Sequence, residues 1–355
     1  MRDNRTVSGE NHILRAGVIG AGSFGRNHVR VYRQLQGNPA EPVQLAGVVD
    51  TDFSRAQAVA GEFGTQAFRS IDELIAAGVQ AVSVAVPTVA HLAVARQLME
   101  AGVDVLIEKP LAASIAEADS LIDLAERHGR IAQAGHLERF NPAVRATIPL
   151  LTKPMFFEVH RLSVFTQRSL DVDVILDLMI HDLDIVLTFA RSPVKEIRAV
   201  GLPILSSKTD IANVRMEFQS GCVANFTASR VSTERVRKLR FFQPHQYVSL
   251  DYSRQDVLVL TVDASAPGDE PDPFNPASAV TGALPGITPF KPAIRAEEPL
   301  RAELVSFLNA VRTRSAPEVT PADGRRALAV AMQITDAIAE HSRQVHLPEL
   351  TRAAT

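Results

Sequence analysis

A glycine-rich turn between an apolar strand and an amphipathic helix is the feature that most constrains the fold of this chain. Leu14 to Gly20 reads LRAGVIG, an apolar run that ends in glycine, as expected for a buried parallel strand. The run continues into Gly20-Ala21-Gly22-Ser23-Phe24-Gly25, and a helical pattern follows through Val29, Tyr32 and Leu35. The G-x-G-x-x-G spacing, with a strand before it and a helix after it, predicts a βαβ unit that binds a dinucleotide.

Each glycine has its own role in the predicted turn. Gly20 permits the tight turn, Gly22 lets the backbone approach a pyrophosphate, and Gly25 lets the helix pack close to the strand. Ser23 and Phe24 lie at the start of the helix, where the exposed amides and the positive helix end would hold phosphates. All five residues are therefore candidate cofactor contacts.

The second apolar strand, Val43 to Val49, is followed by Asp50. An acidic residue at this position would accept hydrogen bonds from the ribose hydroxyls of the adenosine and would repel a 2′-phosphate. The sequence therefore favours NAD over NADP, although the nearby Arg55 leaves NADP as an alternative.

Polar groups recur at the ends of the later strands in this α/β region. They are Pro87-Thr88, Glu108-Lys109 and His136, each directly after an apolar run. Ligands of doubly wound sheets bind at the carboxyl ends of the strands, so these residues are further candidates for the site. His28 and His91 lie on helices beyond the loops, and for both we expect helix packing or solvent exposure.

The periodicity changes beyond Asn141. The alternation is clearest in Ile211 to Phe218, where Val214, Met216 and Phe218 share one face, and the turn at Ser220-Gly221 leads into a second strand. Runs of adjacent strands after a βαβ region predict an α+β domain with a mainly antiparallel sheet. Residues 264–299 hold eight of the 21 prolines and are expected to form an irregular loop.

One helix of the second domain carries an unusual polar stripe. Val172 to Ala190 is apolar on most of its circumference, yet Asp173, Asp177, His181 and Asp184 are spaced four, four and three residues apart. A polar stripe on a buried helix needs a reason, because buried ionisable groups are costly unless they are paired. We interpret Asp177 and His181 as a catalytic acid–base pair, Asp173 as the N-cap, and Asp182, on the far side, as exposed.

The composition excludes several classes of protein. The formal charge is −3, and no long basic run points to nucleic acid or to an anionic membrane. Cys222 is the single cysteine, so no intrachain disulfide can form, and its apolar surroundings predict a buried, inert thiol. No segment approaches the length of a membrane span, and the first residues lack the apolar core of a signal peptide. These features predict a cytoplasmic protein.

Taken in order, several segments resemble the Gfo/Idh/MocA family of nucleotide-dependent oxidoreductases. They are GVIGAGSFGRNH, VAVPTVAH, LIEKPLA, GHLERFNP, DLMIHDLD and the carboxyl-terminal EPLRAELVSFLNAVRTRSAPEVTPADGRRAL. The resemblance implies a catalytic set of Lys109, Asp177 and His181, and cofactor contacts from the glycines, Asp50, Thr88, Glu108 and Lys109. It also implies subunits that pair through the antiparallel sheet. The family more often has glycine where this chain has Met179, which would narrow the space near His181.

The substrate is expected to be a sugar or a sugar nucleotide. Arg161 and Arg168, on either side of hydroxyl and amide side chains, suit an anionic substrate, and Asp184 is a further candidate contact, although solvated charges would look the same. The segment from His160 to Arg168 and the histidine motif are similar to those of members that oxidise the 3-hydroxyl of UDP-N-acetylglucosamine for lipid A assembly. Alternatives are an inositol or free-sugar dehydrogenase, an NAD-dependent glycosidase, and a regulator that binds NAD without catalysis.

The sequence therefore predicts an α/β fold: a Rossmann doubly wound parallel sheet followed by an α+β domain. We expect a disordered tail at 1–11, the NAD-binding domain at 12–136, and a substrate and oligomerisation domain at 137–350. No pattern of metal ligands is present.

Overall fold

The computed structural model describes residues 13–165, 172–262 and 286–346. The chain forms two compact units. The first contains the residues up to Gly135 together with Leu300–Arg325, and the second contains His136–Pro299 together with the residues from Arg326 onwards. The first boundary lies one residue from the expected one. The return of residues 300–325 to the first unit differs from the expectation that everything after 137 belongs to the second domain.

Fourteen strands lie in the part of the chain that the structure describes. The first unit contains β1 (Leu14–Ile19), β2 (Val43–Val49), β3 (Gln66–Phe68), β4 (Ala81–Val84), β5 (Asp104–Glu108) and β6 (Ala132–Gly135). The second contains β7 (Phe156–Val164), β8 (Val194–Leu202), β9 (Ile211–Phe218), β10 (Val223–Ser232), β11 (Val236–Gln243), β12 (Gln246–Asp251), β13 (Asp256–Val262) and β14 (Ile287–Phe290).

The α-helices of the described residues fall into both units. They are α1 (Ser23–Leu35), α2 (Phe53–Phe63), α3 (Ile71–Ala76), α4 (His91–Glu100), α5 (Ile115–Arg127), α6 (Pro142–Thr147), α7 (Ile180–Ala190), α8 (Pro299–Thr313) and α9 (Pro321–Gln344). A single π-helical turn, Ile175–Met179, leads directly into α7.

The sheet of the first unit is parallel, with the strand order β3-β2-β1-β4-β5-β6. This is the order of a doubly wound dinucleotide-binding sheet, in which the chain reverses direction across the sheet between β1 and β4. The carboxyl ends of β1, β2, β4 and β5 therefore lie at one edge, which confirms the Rossmann prediction.

Helix α8 completes the core of the first unit. Leu304, Phe307, Leu308 and Val311 are spaced as one face of a helix, and all four are buried in the same cluster as Tyr32 of α1. The apolar face of α8 therefore stabilises the first unit although α8 follows the whole second sheet in sequence.

The sheet of the second unit has eight strands in the order β14-β13-β12-β11-β7-β10-β9-β8, and only the pairing of β7 with β10 is parallel. Phe157 of β7 and Phe241 of β11 are cross-strand neighbours with ring centroids 5.7 Å apart. Phe189 of α7 meets Phe241 edge to face at 6.2 Å, so α7 covers this face of the sheet. The opposite face carries charged pairs such as Lys195 with Glu217, at 2.7 Å.

The expected hairpin of the second sheet is present, with β9 paired to β10, and Ile211–Phe218 has the predicted bounds. The proline-rich segment contains an unexpected strand, β14, which pairs with β13. The rest of that segment, 264–285, and the predicted tail at 1–11 lie outside the described residues. Cys222 is buried, as expected, and burial raises the pKa of its thiol to about 11.

Across residues 13–165, 172–262 and 286–346, none of the helices combines the length and the hydropathy that crossing a membrane requires.

Candidate active site

The glycine turn of the first unit has the geometry that a dinucleotide needs. Gly20 has a φ of 98°, and a Cβ there would lie 2.2 Å from the carbonyl oxygen of Ala85. A Cβ on Gly25 would lie 1.7 Å from the carbonyl oxygen of Gly20, so only glycine fits at these two positions. A Cβ on Gly22 would meet nothing within 4 Å. Backbone is therefore exposed at Gly22, where a pyrophosphate would approach.

The first turn of α1 leaves its amides open. Gly22 is the N-cap residue and supplies no side-chain hydrogen bond to them. Unpaired amides at a helix N-terminus form a site for phosphate. Ser23 and Phe24 begin the helix, and the Phe24 side chain is 57% exposed. These residues fit the dinucleotide expected from the sequence.

Asp50 lies at the end of β2, and its carboxylate holds the glycine turn. Oδ2 accepts a hydrogen bond from the Ala21 N–H at 2.7 Å, and Oδ1 accepts one from the Asp52 N–H at 2.8 Å. The Arg55 guanidinium lies 3.6 Å from Oδ1. The role expected for Asp50 at the ribose stays a prediction, but the structure adds a second role in shaping the phosphate turn.

Glu108 and Lys109 follow β5, at the same edge of the sheet. Glu108 Oε1 lies 2.9 Å from His28 Nε2, and Oε2 accepts the backbone N–H of Lys109 at 3.3 Å. Burial alone would raise the pKa of the Glu108 carboxyl, but the hydrogen bond to His28 and the charges of His28 and Lys109 outweigh it and lower the pKa. Lys109 precedes a cis peptide bond to Pro110. This edge therefore presents an ionised carboxylate next to the candidate lysine.

His28 and His91 are both packed, as one of the two expectations had it, and neither is exposed to solvent. His28 is fully buried and contacts Glu108. His91 is also buried: its Nδ1 lies 3.1 Å from the carbonyl oxygen of Pro110, and its Nε2 lies 3.0 Å from that of Val86. Burial lowers the pKa of His91. His91 thus ties the loop that carries Pro87 and Thr88 to the loop that follows Lys109.

In the second unit, the helix with the polar stripe begins with the π turn. The N–H of Ile180 bonds to the carbonyl oxygen of Ile175, five residues earlier. Asp177 lies in this turn and His181 is the second residue of α7; both are partly exposed, whereas Met179 and Ile180 between them are buried. Single π turns within helices are frequent at functional sites. Asp177 and His181 are therefore partly accessible to solvent at the start of α7, and their catalytic roles stay predictions.

Asp173 and Asp182 correct two expectations. Asp173 does not cap the helix: its side chain accepts the backbone N–H of Thr209 at 2.9 Å. Asp182, expected to be exposed, is 1% exposed and binds Arg161, whose Nε donates to Oδ2 at 2.5 Å and whose Nη2 donates to Oδ1 at 3.1 Å. Helical periodicity shows on which side of its own helix a residue lies, but it does not show what packs against that side. Here Arg161 of β7 packs against Asp182.

Arg161 and Asp184 were expected to contact substrate, but both are paired internally. Both Nη atoms of Arg161 also donate to Glu138 at 3.1 Å, and its side chain is 3% exposed. Burial would lower the pKa of Arg161, but the charges of Asp182 and Glu138 outweigh it and raise the pKa. Asp184 accepts two hydrogen bonds from Arg139, at 2.6 and 2.8 Å. We therefore interpret Arg161 and Asp184 as residues that hold α7 in place.

The remaining candidates are placed as follows. Pro87 precedes a single 3₁₀ turn, Thr88–Ala90, at the end of β4. His136 is buried at the start of the second unit, before the 3₁₀ turn Leu137–Phe140. Arg168 lies outside the described residues. Within the described ranges, no group of three or more potential metal ligands is present.

Sequence reasoning missed the contact of His28 with Glu108 and the contacts of Glu138 and Arg139 with residues next to α7 or on it. His28 interrupts the otherwise apolar buried face of α1, which was a usable signal. Glu138 and Arg139 lie in the HLERFNP segment, which was noted only for its resemblance to the family. Nothing in their spacing indicates that they pair with α7.

Comparison with known proteins shows the family. Residues 14–136 match the Gfo/Idh/MocA model described as an oxidoreductase family with an NAD-binding Rossmann fold, and residues 152–243 match the C-terminal domain model of the same family. The first unit is thus an NAD-binding Rossmann domain.

One relative matches over nearly the whole chain. UDP-N-acetylglucosamine 3-dehydrogenase of Acidithiobacillus ferrooxidans is 36% identical over 326 residues, which cover 92% of this chain and 97% of the relative. Its solved structure matches with a TM-score of 0.81 over the same shares of both chains. Inositol 2-dehydrogenase of Leifsonia xyli subsp. xyli is 32% identical, but over only 52% of this chain and 56% of its own.

A more distant structure agrees in fold. Levoglucosan dehydrogenase, solved in complex with NADH and levoglucosan, has a TM-score of 0.77 at 17% identity and covers 92% of this chain and 97% of its own. The two family models and the full-length relative lead to one conclusion: the chain belongs to the Gfo/Idh/MocA family of oxidoreductases.

Proposed function

We propose that this protein is an NAD-dependent dehydrogenase that oxidises a secondary hydroxyl of a sugar nucleotide, with the 3-hydroxyl of UDP-N-acetylglucosamine as the preferred substrate group. The observation that carries the proposal is the match to the Acidithiobacillus ferrooxidans enzyme, because it extends over 92% of this chain and 97% of that one. The match to the inositol dehydrogenases supports the inositol alternative less strongly, since that of Leifsonia xyli extends over only about half of each chain.

In this proposal, three side chains act on the hydroxyl group of the substrate. His181 takes the hydroxyl proton as a general base, and Asp177, four residues earlier, orients the imidazole or shares the proton. Lys109 donates to the substrate oxygen and stabilises the developing alkoxide. The glycine turn and Asp50 would hold NAD, which would supply the electron chemistry as the hydride acceptor. We further propose that the 3-oxo product serves lipid A assembly through an aminotransferase.

The test is a substrate panel with absorbance and chromatography as readouts. NADH formation, or bleaching of bound cofactor, is followed with UDP-N-acetylglucosamine, N-acetylglucosamine, myo-inositol and free hexoses, and the product is analysed for an oxo group at C3. Turnover that requires the UDP group supports the proposal. Preferred turnover of inositol or of a free sugar would replace it, and sugar release without NADH accumulation would indicate a glycosidase.

The catalytic assignment has its own test. His181→Ala should lower turnover by about 10²–10⁴-fold, the usual contribution of a general base. NADH affinity should stay near the wild-type value, because the glycine turn and Asp50 lie in the first unit. His128→Ala, at an exposed position after α5, is the control. Unchanged turnover in His181→Ala would contradict the assignment, and equal loss in both variants would indicate a general effect of substitution.

A further inference from the structure

Two arginines lie opposite each other on neighbouring strands of the second sheet, and only one of them is neutralised. Arg161 of β7 and Arg237 of β11 are direct cross-strand partners. Arg161 binds Glu138 and Asp182 through all three of its guanidinium nitrogens. Arg237 makes no side-chain hydrogen bond and no ion pair with any residue that the structure describes, and its Nε is buried without a partner.

Arg237 lies on the face of the sheet that α7 covers. Side chains alternate along a strand, so Arg237 points to the same side as Leu239 and Phe241, which are core residues. Phe189, near the end of α7, packs on Phe241, and Asp182, near its beginning, binds Arg161. The apolar face of the sheet therefore becomes polar at the two arginines. This place is close to the start of α7, because Arg161 binds Asp182, the residue after His181.

The charge around Arg237 is unfavourable for a buried cation. Burial lowers the pKa of Arg237, and the positive charges of Arg161 and Arg235 lower it further, while Glu138 and Asp182 only partly compensate. Unlike Arg161, Arg237 is only partly buried, and Arg235 is exposed. Five N–H donors in a planar fork, with a second cation two residues away, form a suitable receptor for a phosphate group.

We propose that Arg237, assisted by Arg235, is the subsite that binds the diphosphate of the sugar nucleotide. This inference rests on the proposed function and assigns the anion-binding role to Arg237 in place of Arg161, whose donors are already used. The diphosphate would supply the negative charge that the partly buried guanidinium lacks, and it would hold the sugar near the start of α7.

The test compares Arg237→Met and Arg237→Lys with Arg240→Met as the matched control. Arg240 lies on the same strand but on the opposite face, where it binds Glu158 at 3.2 Å. UDP binding is measured by calorimetry with NADH saturating, so that UDP cannot occupy the site for the diphosphate of the cofactor. Arg237→Met should weaken UDP binding about 10- to 100-fold, as expected for losing hydrogen bonds to a charged group. Arg237→Lys should be intermediate and Arg240→Met unchanged.

Kinetics and ionic strength separate binding from folding. With UDP-N-acetylglucosamine, Arg237→Met should raise KM by the same factor and leave kcat within a few-fold of the wild-type value. Wild-type UDP affinity should fall as salt rises, and this dependence should be weaker in Arg237→Met. If Arg237→Met does not fold, Arg237→Lys and the salt dependence of the wild type decide.

The inference fails if Arg237→Met binds UDP as the wild type does, if Arg240→Met loses as much affinity, or if the wild type binds UDP with no dependence on salt. The proposed function can fail separately: UDP could bind through Arg237 although UDP-N-acetylglucosamine is not oxidised. Conversely, oxidation of UDP-N-acetylglucosamine with an unchanged KM in Arg237→Met would retain the function and reject this subsite.

Discussion

Glu303 of α8 carries a carboxyl group into the core of the first unit. Its side chain is fully buried, neither carboxyl oxygen has a hydrogen-bond partner among the described residues, and the backbone carbonyl accepts from Gln133 at 3.4 Å. Burial raises the pKa of Glu303 well above its usual value, and the charge of Glu108 raises it further. The Glu303 carboxyl therefore keeps its proton to a higher pH than a free carboxyl does, while Glu108 carries the negative charge at the cofactor edge.

This proton makes the stability of the wild type depend on pH. The folded state keeps the proton above pH ~4.3, where the carboxyl of an unfolded chain loses it, so stability falls by up to about 1.4 kcal/mol per pH unit until the raised pKa is reached. Glu303→Gln removes this loss. The variant should become more stable relative to the wild type as the pH rises from 5 to 8, as measured by urea unfolding. Glu126→Gln, at an exposed position of α5, is the control.

A difference between Glu303→Gln and wild type that does not change with pH would mean that the carboxyl is ionised in the folded protein. Tyr32 and Glu108 interact electrostatically with Glu303, but the pKa of Tyr32 is raised by burial and that of Glu108 is lowered by His28 and Lys109, so neither group titrates between pH 5 and 8. A change of the difference with pH in this range therefore reports the Glu303 carboxyl.

At the scale of elements, α7 is held by two arginines that approach from other parts of the chain. Arg139, in the 3₁₀ turn after His136, binds Asp184, and Arg161 of β7 binds Asp182. The Arg161 guanidinium also lies 5.2 Å from the centre of the Tyr252 ring. These contacts fix the start of α7, where His181 lies, through ion pairs that leave little freedom to the helix.

Arg161→Met should destabilise the second unit by about 3–5 kcal/mol, because it leaves Glu138 and Asp182 buried without their cation. Chemical denaturation followed by circular dichroism measures this loss. The double variant Arg161→Met/Asp182→Leu should recover part of it, since fewer buried charges are left. Arg198→Met, which removes an exposed ion pair with Glu196, should change stability little. A loss in Arg161→Met no larger than in this control would show that the buried cluster contributes little.

Sequence periodicity predicts well the elements that bury one face against a core and leave the other face outside it. Ile211–Phe218 alternates because one face lies on the core, and its bounds are as predicted. The π turn could not be predicted, because Val172 to Ala190 reads as a regular apolar helix whether or not one turn is wider. Asp182 was predicted to be exposed but is buried, because its partner Arg161 lies on β7, 21 residues earlier in the chain.

At the scale of the whole molecule, the chain crosses between its two units three times, because residues 300–325 return to the first. Residues 297–313 carry a helical pattern in the sequence, and the structure has the helix Pro299–Thr313, but the pattern of one helix does not show which core it enters. The catalytic residues predicted from the sequence, Lys109 in the first unit and Asp177 and His181 in the second, stay predictions.

A fragment of residues 1–136 should therefore fold poorly by itself. It lacks Leu304, Phe307, Leu308 and Val311, each of which contributes about 1.5–3 kcal/mol on burial, so the loss is comparable to the ~5–15 kcal/mol stability of a whole domain. Joining residues 299–325 to the fragment through a flexible linker should restore a cooperative thermal transition and NADH binding. Equal transitions with and without the added segment would contradict this role of α8.

The buried thiol of Cys222 also determines how this protein can be studied in solution. With its pKa raised to about 11, it is almost entirely protonated at the pH where maleimide dyes are used, and the surrounding core keeps such reagents away. Cysteines introduced at exposed positions, one in each unit, would then be the only reactive thiols. Fluorescence energy transfer between two such labels could follow the separation of the units as NAD and a sugar nucleotide are added, without first removing a native cysteine.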